Sequence, residues 1–200
     1  MQESRVYLKE MATGQLVEAS LLDEITDRHL AMWIDTWQPV MEERCRGRKP
    51  GDRPEDHHWD WKLKADGWRP LLGYHSFAIT CNGELQGLML ACDFKSARIP
   101  AQFGKPIVHV EFLATAPWNR PEFQTPKRYS GAGTVMVAAA VELSWQLGYR
   151  GRIGLHSLGD AEEFYRDKCG MTELGNDAAY QGLMYYEMTE KKAEYFRQTH

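Results

Sequence analysis

The chain has 200 residues, of which 43% are hydrophobic, and a formal net charge of −4 at neutral pH. This size predicts a single domain over residues 1–200, and the acidic balance argues against a general affinity for nucleic acid, which depends on Lys and Arg contacts with phosphates. The chain has no apolar run near the roughly 18 residues of a membrane span and no signal-peptide pattern, so we expect a cytoplasmic protein without membrane contacts.

The N-terminal third predicts strands followed by helices. Residues 5–19 indicate one or two short strands. Ser20 and Asp23 resemble a capping pair for an amphipathic helix, which we expect to end at Pro39 because proline cannot continue the hydrogen-bond ladder. A shorter helix is predicted over residues 55–66.

The rest of the chain predicts a hairpin and a crossover unit. The dipeptide Asn82–Gly83 suits the positive φ angles of a two-residue turn between two apolar strands. Strands are expected at 107–115 and 152–157, joined by a long helix that stops at Gly148. Parallel strands need such a crossover, so the pattern predicts an α/β fold. Later elements are a helix at 161–169, a strand at 182–189 and a polar tail helix.

The spacing of cysteines and histidines predicts no metal site. The four cysteines are scattered without a CxxC pair, which is typical of free thiols in a reducing compartment. His57 and His58 are adjacent, so their side chains point apart, and no third ligand is evident.

The segment Arg128–Gly133, RYSGAG, comes directly before the crossover helix. Free backbone N–H groups and the helix dipole favour an anion at this position, and glycines let a phosphate approach the main chain. Arg128 adds a positive charge. The segment lacks the ending of a Walker loop and the spacing of a dinucleotide fingerprint, and a plain Gly-x-Gly helix cap is the alternative.

Two further segments accompany RYSGAG in a fixed order. They are VEFLATAP, residues 110–117, and AEEFYRDKCGM, residues 161–171. Together the three segments resemble the phosphate loop, fourth strand and tyrosine segment of the GNAT family of acyl-CoA N-acyltransferases. The resemblance implies a GNAT-type α/β fold, with a mixed central sheet flanked by helices and with splayed fourth and fifth strands. Residues 106–171 would be the cofactor-binding and catalytic core, and residues 20–70 the acceptor-side helices.

The resemblance also implies acetyl-CoA, or another acyl-CoA, as cofactor. The backbone of β-strand residues 113–115 would pair with the pantetheine arm, and main-chain amides with Arg128 would hold the pyrophosphate. Tyr165 would donate a proton to the departing thiolate. The implied cofactor-binding residues are Leu113, Ala114, Thr115, Arg128, Tyr129, Ser130, Gly131, Ala132, Gly133 and Thr134.

An amine acceptor arrives mostly protonated, so the chemistry needs a base. Glu111, in the strand before the acyl site, is one candidate, and His156, ending the next strand, is the second. Each residue has a structural alternative. Glu111 could face solvent from a sheet edge, His156 could be a strand-end histidine without a catalytic role, and Tyr165 could be a packing aromatic.

Aromatic residues crowd the first third of the chain. Trp33, Trp59, Asp60 and Trp61 are the candidate substrate-binding residues, because indole faces and a carboxylate suit a cationic amine. The alternative is a helix that packs its tryptophans against the sheet.

Two departures from the family pattern stand out. The usual register would place the loop arginine at Arg120, but Pro121 follows it, so residues 120–127 form an insertion over the cofactor or toward the acceptor. Leu158 also replaces an asparagine that the family often has before the tyrosine helix.

These observations predict acetyl transfer from acetyl-CoA to a primary amine on a small molecule or a peptide. The sequence leaves the oligomeric state open, with a homodimer as one option. One alternative is a non-catalytic module that binds CoA or a protein. Another is an acetyltransferase for aminoacyl-tRNA that uses the basic loop at 44–53.

Overall fold

The computed structural model describes residues 2–199. Within this range the chain forms two compact units. Unit 1 comprises residues 2–71, 75–89 and 113–133, and unit 2 comprises residues 72–74, 90–112 and 134–199.

Strands and helices alternate along the described chain as in a mixed α/β protein. The strands are β1 (Glu3–Glu10), β2 (Leu16–Leu22), β3 (Tyr74–Cys81), β4 (Glu84–Ser96), β5 (Pro106–Thr115), β6 (Tyr129–Ser130), β7 (Ile153–Ser157), β8 (Thr172–Asp177) and β9 (Leu183–Met188). The α-helices are α1 (Asp27–Met32), α2 (Gln38–Cys45), α3 (Trp61–Trp68), α4 (Ala132–Gln146) and α5 (Glu190–Thr199).

The strands of unit 1 lie in the order β6-β1-β2-β3, followed by the first half of β4. Both β1–β2 and β2–β3 are antiparallel. The turn between β3 and β4 has φ angles of 51° at Asn82 and 77° at Gly83, so the predicted two-residue turn is confirmed.

The first helix differs from its prediction at both ends. It begins after Thr26, whose amide donates to His29 Nδ1 at 3.1 Å, and not at the Ser20–Asp23 pair. It also continues past Pro39 to Cys45. A π turn before α2, in which the Gln38 amide donates to the Trp33 carbonyl, places Pro39 in the first turn of α2. A proline is tolerated there because its missing N–H has no helical partner.

In unit 2 the second half of β4 is followed by β5, β7, β9 and β8 in that order. The β5–β7 pair is parallel, and α4 is the crossover helix that connects them, as predicted. Their ladder joins Val108–Val110 to Ile153–Leu155. It therefore ends one residue before Glu111 on β5 and His156 on β7.

The tyrosine segment and β8 depart from the predicted pattern. Residues 161–169, predicted as an α-helix, contain a π turn at Phe164–Lys168. The strand Thr172–Asp177 was not predicted, because its residues are polar and mostly exposed and show no apolar alternation. No helix in the described residues is long and apolar enough to span a membrane.

Candidate functional site

Unit 1 contains an aromatic pocket. The pocket has a cavity volume of about 100 Å³ and opens to solvent, and its walls include Trp33, Trp37, Trp59 and Trp61. The Trp37 ring is fixed by a 3.2 Å hydrogen bond from its Nε1 to the Leu85 carbonyl. The Trp59 and Trp61 rings meet edge to face, with centroids 6.2 Å apart. Such indole walls suit an organic cation.

The structure brings three of the four predicted substrate-binding residues to this pocket, namely Trp33, Trp59 and Trp61. The fourth, Asp60, has another contact. Its Oδ1 accepts a hydrogen bond from the Leu63 amide at 2.9 Å and caps the N-terminus of α3. The carboxylate in the pocket wall belongs instead to Asp56.

The two oxygens of the Asp56 carboxylate differ in their hydrogen bonds to the described residues. Asp56 Oδ2 accepts from Arg120 at 2.7 Å, and Arg120 also donates to Glu122 at 2.6 Å. Asp56 Oδ1 is buried and has no hydrogen-bond partner among the described residues. Burial opposes the charge on Arg120, but the Asp56 and Glu122 carboxylates outweigh it and raise its pKa. The inserted loop thus reaches the aromatic pocket through Arg120.

A buried amide network anchors the base of the same loop. Gln86, which is fully buried, accepts hydrogen bonds from Trp118 Nε1 and Asn119 Nδ2, each at 2.9 Å. Asn119 Oδ1 in turn accepts from the Tyr129 amide at 2.9 Å. The network holds the two ends of the insertion together.

The segment Arg128–Gly133 has fewer groups available to bind a phosphate than its sequence indicates. Arg128 forms a 2.6 Å ion pair with Glu84, and its amide donates to the Trp118 carbonyl at 2.8 Å. Because the Tyr129 amide is also bonded, these two amides cannot hold a phosphate. The Tyr129 ring is buried, and Ser130 pairs with Lys9 of β1.

The amides that a helix N-terminus leaves without a helical acceptor therefore begin further along the segment. Gly131 has a φ of +105°, which only glycine adopts without strain, and an added Cβ would meet only Leu8, at 3.8 Å. Ala132, Gly133 and Thr134 follow in the first turn of α4, where amides have no acceptor within the helix.

Unit 2 contains a chain of buried polar side chains. Glu111 has 16% of its side chain exposed, and its Oε1 lies 3.1 Å from His109 Nδ1. Burial opposes ionisation of Glu111, but the His109 ring and other neighbours outweigh it, so the pKa of Glu111 is lowered. The strand β5 lies between β4 and β7, so Glu111 is not a solvent-facing residue of an edge strand.

His156 continues this chain. Its Nδ1 lies 3.2 Å from His109 Nε2, and its Nε2 lies 2.9 Å from Asp177 Oδ2. The Tyr180 ring stacks on the imidazole with centroids 3.6 Å apart. Burial is the main cause that lowers the pKa of His156, and its side chain is only 4% exposed. His156 is thus a partnered, buried residue.

Sequence analysis did not identify His109 or Asp177. The alternation in VHVEF places His109 and Glu111 on one face of β5, and this was the available signal for His109. Asp177 ends β8, a strand that the sequence pattern did not reveal.

Solved structures identify the fold. No protein-family model and no curated protein matches the chain. Aminoglycoside acetyltransferase AAC(6')-Ib, in complex with coenzyme A and kanamycin, matches with a TM-score of 0.56 and 17% identity, over 90% of this chain and 99% of that one. The GNAT domain of S. lividans PAT matches with a TM-score of 0.53 and 14% identity, over 93% and 96% of the two chains. The chain has the GNAT fold.

A third GNAT-like structure is a mutant AtaT toxin bound to the C-terminus of the antitoxin AtaR and acetyl-CoA. It matches with a TM-score of 0.53 and 14% identity, over 88% of this chain and 96% of that one.

The tyrosine of the GNAT-like segment lies in unit 2. Tyr165 is 7% exposed, and its ring centroid is 5.1 Å from that of Phe164. Burial raises the pKa of Tyr165 well above its usual range. The hydroxyl is therefore protonated at neutral pH, as a proton donor must be, while its ring packs as the structural alternative expected.

The predicted pantetheine-binding residues end β5. Leu113 and Thr115 are half-buried, whereas Ala114 is buried. Ala114 and Thr115 also line the aromatic pocket of unit 1.

One group of side chains could hold a metal ion. Among the described residues, Cys92, His109 and Glu111 each offer one ligand atom, and these atoms lie within 4.8 Å of one another. Its members lie on two strands, β4 and β5, so no local spacing in the sequence marks the group.

Proposed function

We propose that the protein transfers the acetyl group of acetyl-CoA to a primary amine carried on a small molecule or a peptide. The observation that carries this proposal is the aromatic pocket of unit 1, in which Asp56 Oδ1 is buried without a hydrogen-bond partner among the described residues. An ammonium group would satisfy that oxygen, and the four indoles would stabilise its charge. The GNAT fold provides the context for the reaction.

The residues of α4 fit the cofactor's diphosphate. The amides of Ala132, Gly133 and Thr134 would hold its oxygens, with the helix dipole adding attraction. Gly131 keeps the entrance to this turn free of a side chain. The backbone of Leu113–Thr115 would pair with the pantetheine arm. When bound, acetyl-CoA supplies an activated acetyl group as a thioester.

Two side chains of unit 2 would move the protons. Glu111, whose lowered pKa keeps it ionised, accepts a proton from the amine, directly or through a water molecule, and frees the lone pair for attack. Tyr165 would donate its hydroxyl proton to the departing thiolate and regain a proton from the attacking nitrogen, which loses its second proton as the amide forms. Both ring nitrogens of His156 already have partners, so His156 is the weaker candidate for the base.

Turnover assays test this proposal. Release of the CoA thiol is measured with acetyl-CoA and a panel of polyamines, aminoglycosides and peptides. We expect Glu111→Gln and Tyr165→Phe each to lower kcat by about 10²–10⁴-fold, the usual contribution of a general base or acid. Glu18→Gln and Tyr195→Phe, at exposed positions, are matched controls.

The outcomes separate the competing functions. Binding of acetyl-CoA without turnover by any amine would favour a non-catalytic module. Turnover only with aminoacyl-tRNA, lost when the arginines of the 44–53 loop are neutralised, would favour the tRNA enzyme. Unchanged rates in both active-site variants would refute the proposed proton transfers.

A further inference from the structure

Two of the three distances among the candidate ligands in unit 2 are close to those of a tetrahedral zinc site. Bonds of 2.0–2.3 Å from Zn²⁺ place tetrahedral ligands about 3.4 Å apart for a nitrogen and an oxygen, and about 3.6 Å for a sulfur and an oxygen. His109 Nδ1 lies 3.1 Å from Glu111 Oε1, and Cys92 Sγ lies 3.5 Å from the same oxygen. Neither pair of atoms would move far to bind one ion.

His109 Nδ1 is buried and has one close polar contact among the described residues. The side chain is 3% exposed, and Nδ1 lies 3.1 Å from Glu111 Oε1 without a further hydrogen-bond partner in the described part of the chain. Buried polar atoms with few partners are costly, so a ligand at this position would be stabilising.

The neighbouring hydrogen bonds orient a lone pair toward this position. Asp177 Oδ2 accepts from Arg98 at 2.6 Å, so the Nε2–H of His156 donates to the same carboxylate. The other ring nitrogen of His156, Nδ1, lies 3.2 Å from His109 Nε2, so these two nitrogens share one proton. In the tautomer with the proton on His109 Nε2, the Nδ1 lone pair faces the Glu111 oxygen, and either a shared proton or a bound cation between these two acceptors relieves the contact.

We propose that Cys92, His109 and Glu111 form a binding site for a zinc-type divalent cation. Thiolate and imidazole ligands favour Zn²⁺ and Co²⁺ over Mg²⁺ and Ca²⁺, which prefer oxygen ligands alone. The Cys92 thiol donates to Glu111 in the metal-free protein, so binding releases one proton from Cys92 as the sulfur–metal bond forms. The His156–Asp177 pair is the outer support that metal-binding histidines commonly have.

The site and the proposed base share the Glu111 carboxylate. A bound ion occupies that carboxylate, so it competes with proton transfer from an amine. The metal site itself does not depend on acetyl transfer, since binding is measured without substrate.

Cobalt titration tests the site. The protein is stripped with a chelator, desalted and titrated with Co²⁺, which reports a thiolate ligand by its charge-transfer absorption. We expect one equivalent to bind with this band, Zn²⁺ to displace it, and Mg²⁺ and Ca²⁺ to leave it unchanged. Cys92→Ser should abolish the band, while Cys169→Ser, at another buried cysteine of unit 2, should retain it.

A second variant tests the support of His109. Asp177→Asn should weaken cobalt binding by about 10–100-fold with the band still present at saturation. Absence of a thiolate band in the folded wild-type protein would overturn the proposal and leave a shared proton between His109 and Glu111. A band that survives in Cys92→Ser would overturn it as well.

Discussion

Buried carboxylates have different partners in the two units. In unit 1, Asp56 and Arg120 pair directly at 2.7 Å in the wall of an open pocket, and one carboxylate oxygen stays vacant. In unit 2, the imidazoles of His109 and His156 connect the carboxylates of Glu111 and Asp177. A direct ion pair beside a vacant oxygen suits recognition of a charged ligand. A chain of imidazoles suits the holding of a proton or a metal ion.

The largest effect on stability is expected at the ion pair of unit 1. Arg120→Ala leaves Asp56 as an uncompensated charge, and breaking a buried pair costs about 3 kcal/mol. The free energy of unfolding, measured by urea denaturation, should fall by that amount. Arg5→Ala is the matched control, because its pair with Glu18 is 68% and 61% exposed. The control should cost at most about 0.5 kcal/mol. Equal losses in both variants would mean that the Asp56–Arg120 pair behaves as a surface contact.

Asp56→Asn is expected to have a smaller effect, which distinguishes binding of the amine from the chemical step. Asp56→Asn keeps the shape of the side chain but removes the charge that would attract an ammonium group. We expect KM for the amine to rise about tenfold, with kcat little changed, because the lost contact exists before and during reaction. Glu111→Gln should instead lower kcat. If Asp56→Asn lowered kcat and left KM unchanged, the division of roles between the units would fail.

The smallest effect on stability is expected from replacing Asp60, which lies four residues after Asp56. Asp60→Ala removes the N-cap of α3 and should lower the free energy of unfolding by about 1 kcal/mol. Thermal denaturation measures this loss. Because Asp60 does not line the pocket, KM for the amine should change by less than about twofold. A rise in KM equal to that of Asp56→Asn would instead support the sequence-based prediction that Asp60 binds the substrate.

Local sequence signals predicted the elements that depend on neighbouring residues. Asn82–Gly83 indicated its turn because both residues tolerate positive φ, and the apolar run after Gly133 indicated α4. The clustering of aromatic residues in the first third of the chain also indicated Trp33, Trp59 and Trp61, which line one pocket. The helix end predicted at Pro39 was wrong because a π turn places this proline in the first turn of α2, where its missing N–H has no helical partner.

Long-range contacts account for what the sequence could not predict. The Tyr129 amide donates to Asn119, ten residues earlier in the chain. The sequence could not predict this bond because it does not show the path of the inserted residues between them. His109, His156 and Asp177 meet only because β5, β7, β8 and β9 are neighbours in one unit. Asp56 and Asp60 have the same chemistry, and only the start of α3 decides which one caps a helix.

The most direct test of the central claim is the chemical identity of the product. Wild-type protein is incubated with acetyl-CoA and the primary amine that binds it most tightly, and the amine is analysed by mass spectrometry. The account predicts an N-acetylated amine formed in proportion to the CoA thiol released, with formation reduced in Glu111→Gln. An unmodified amine, with acetyl-CoA either intact or merely hydrolysed, would contradict it.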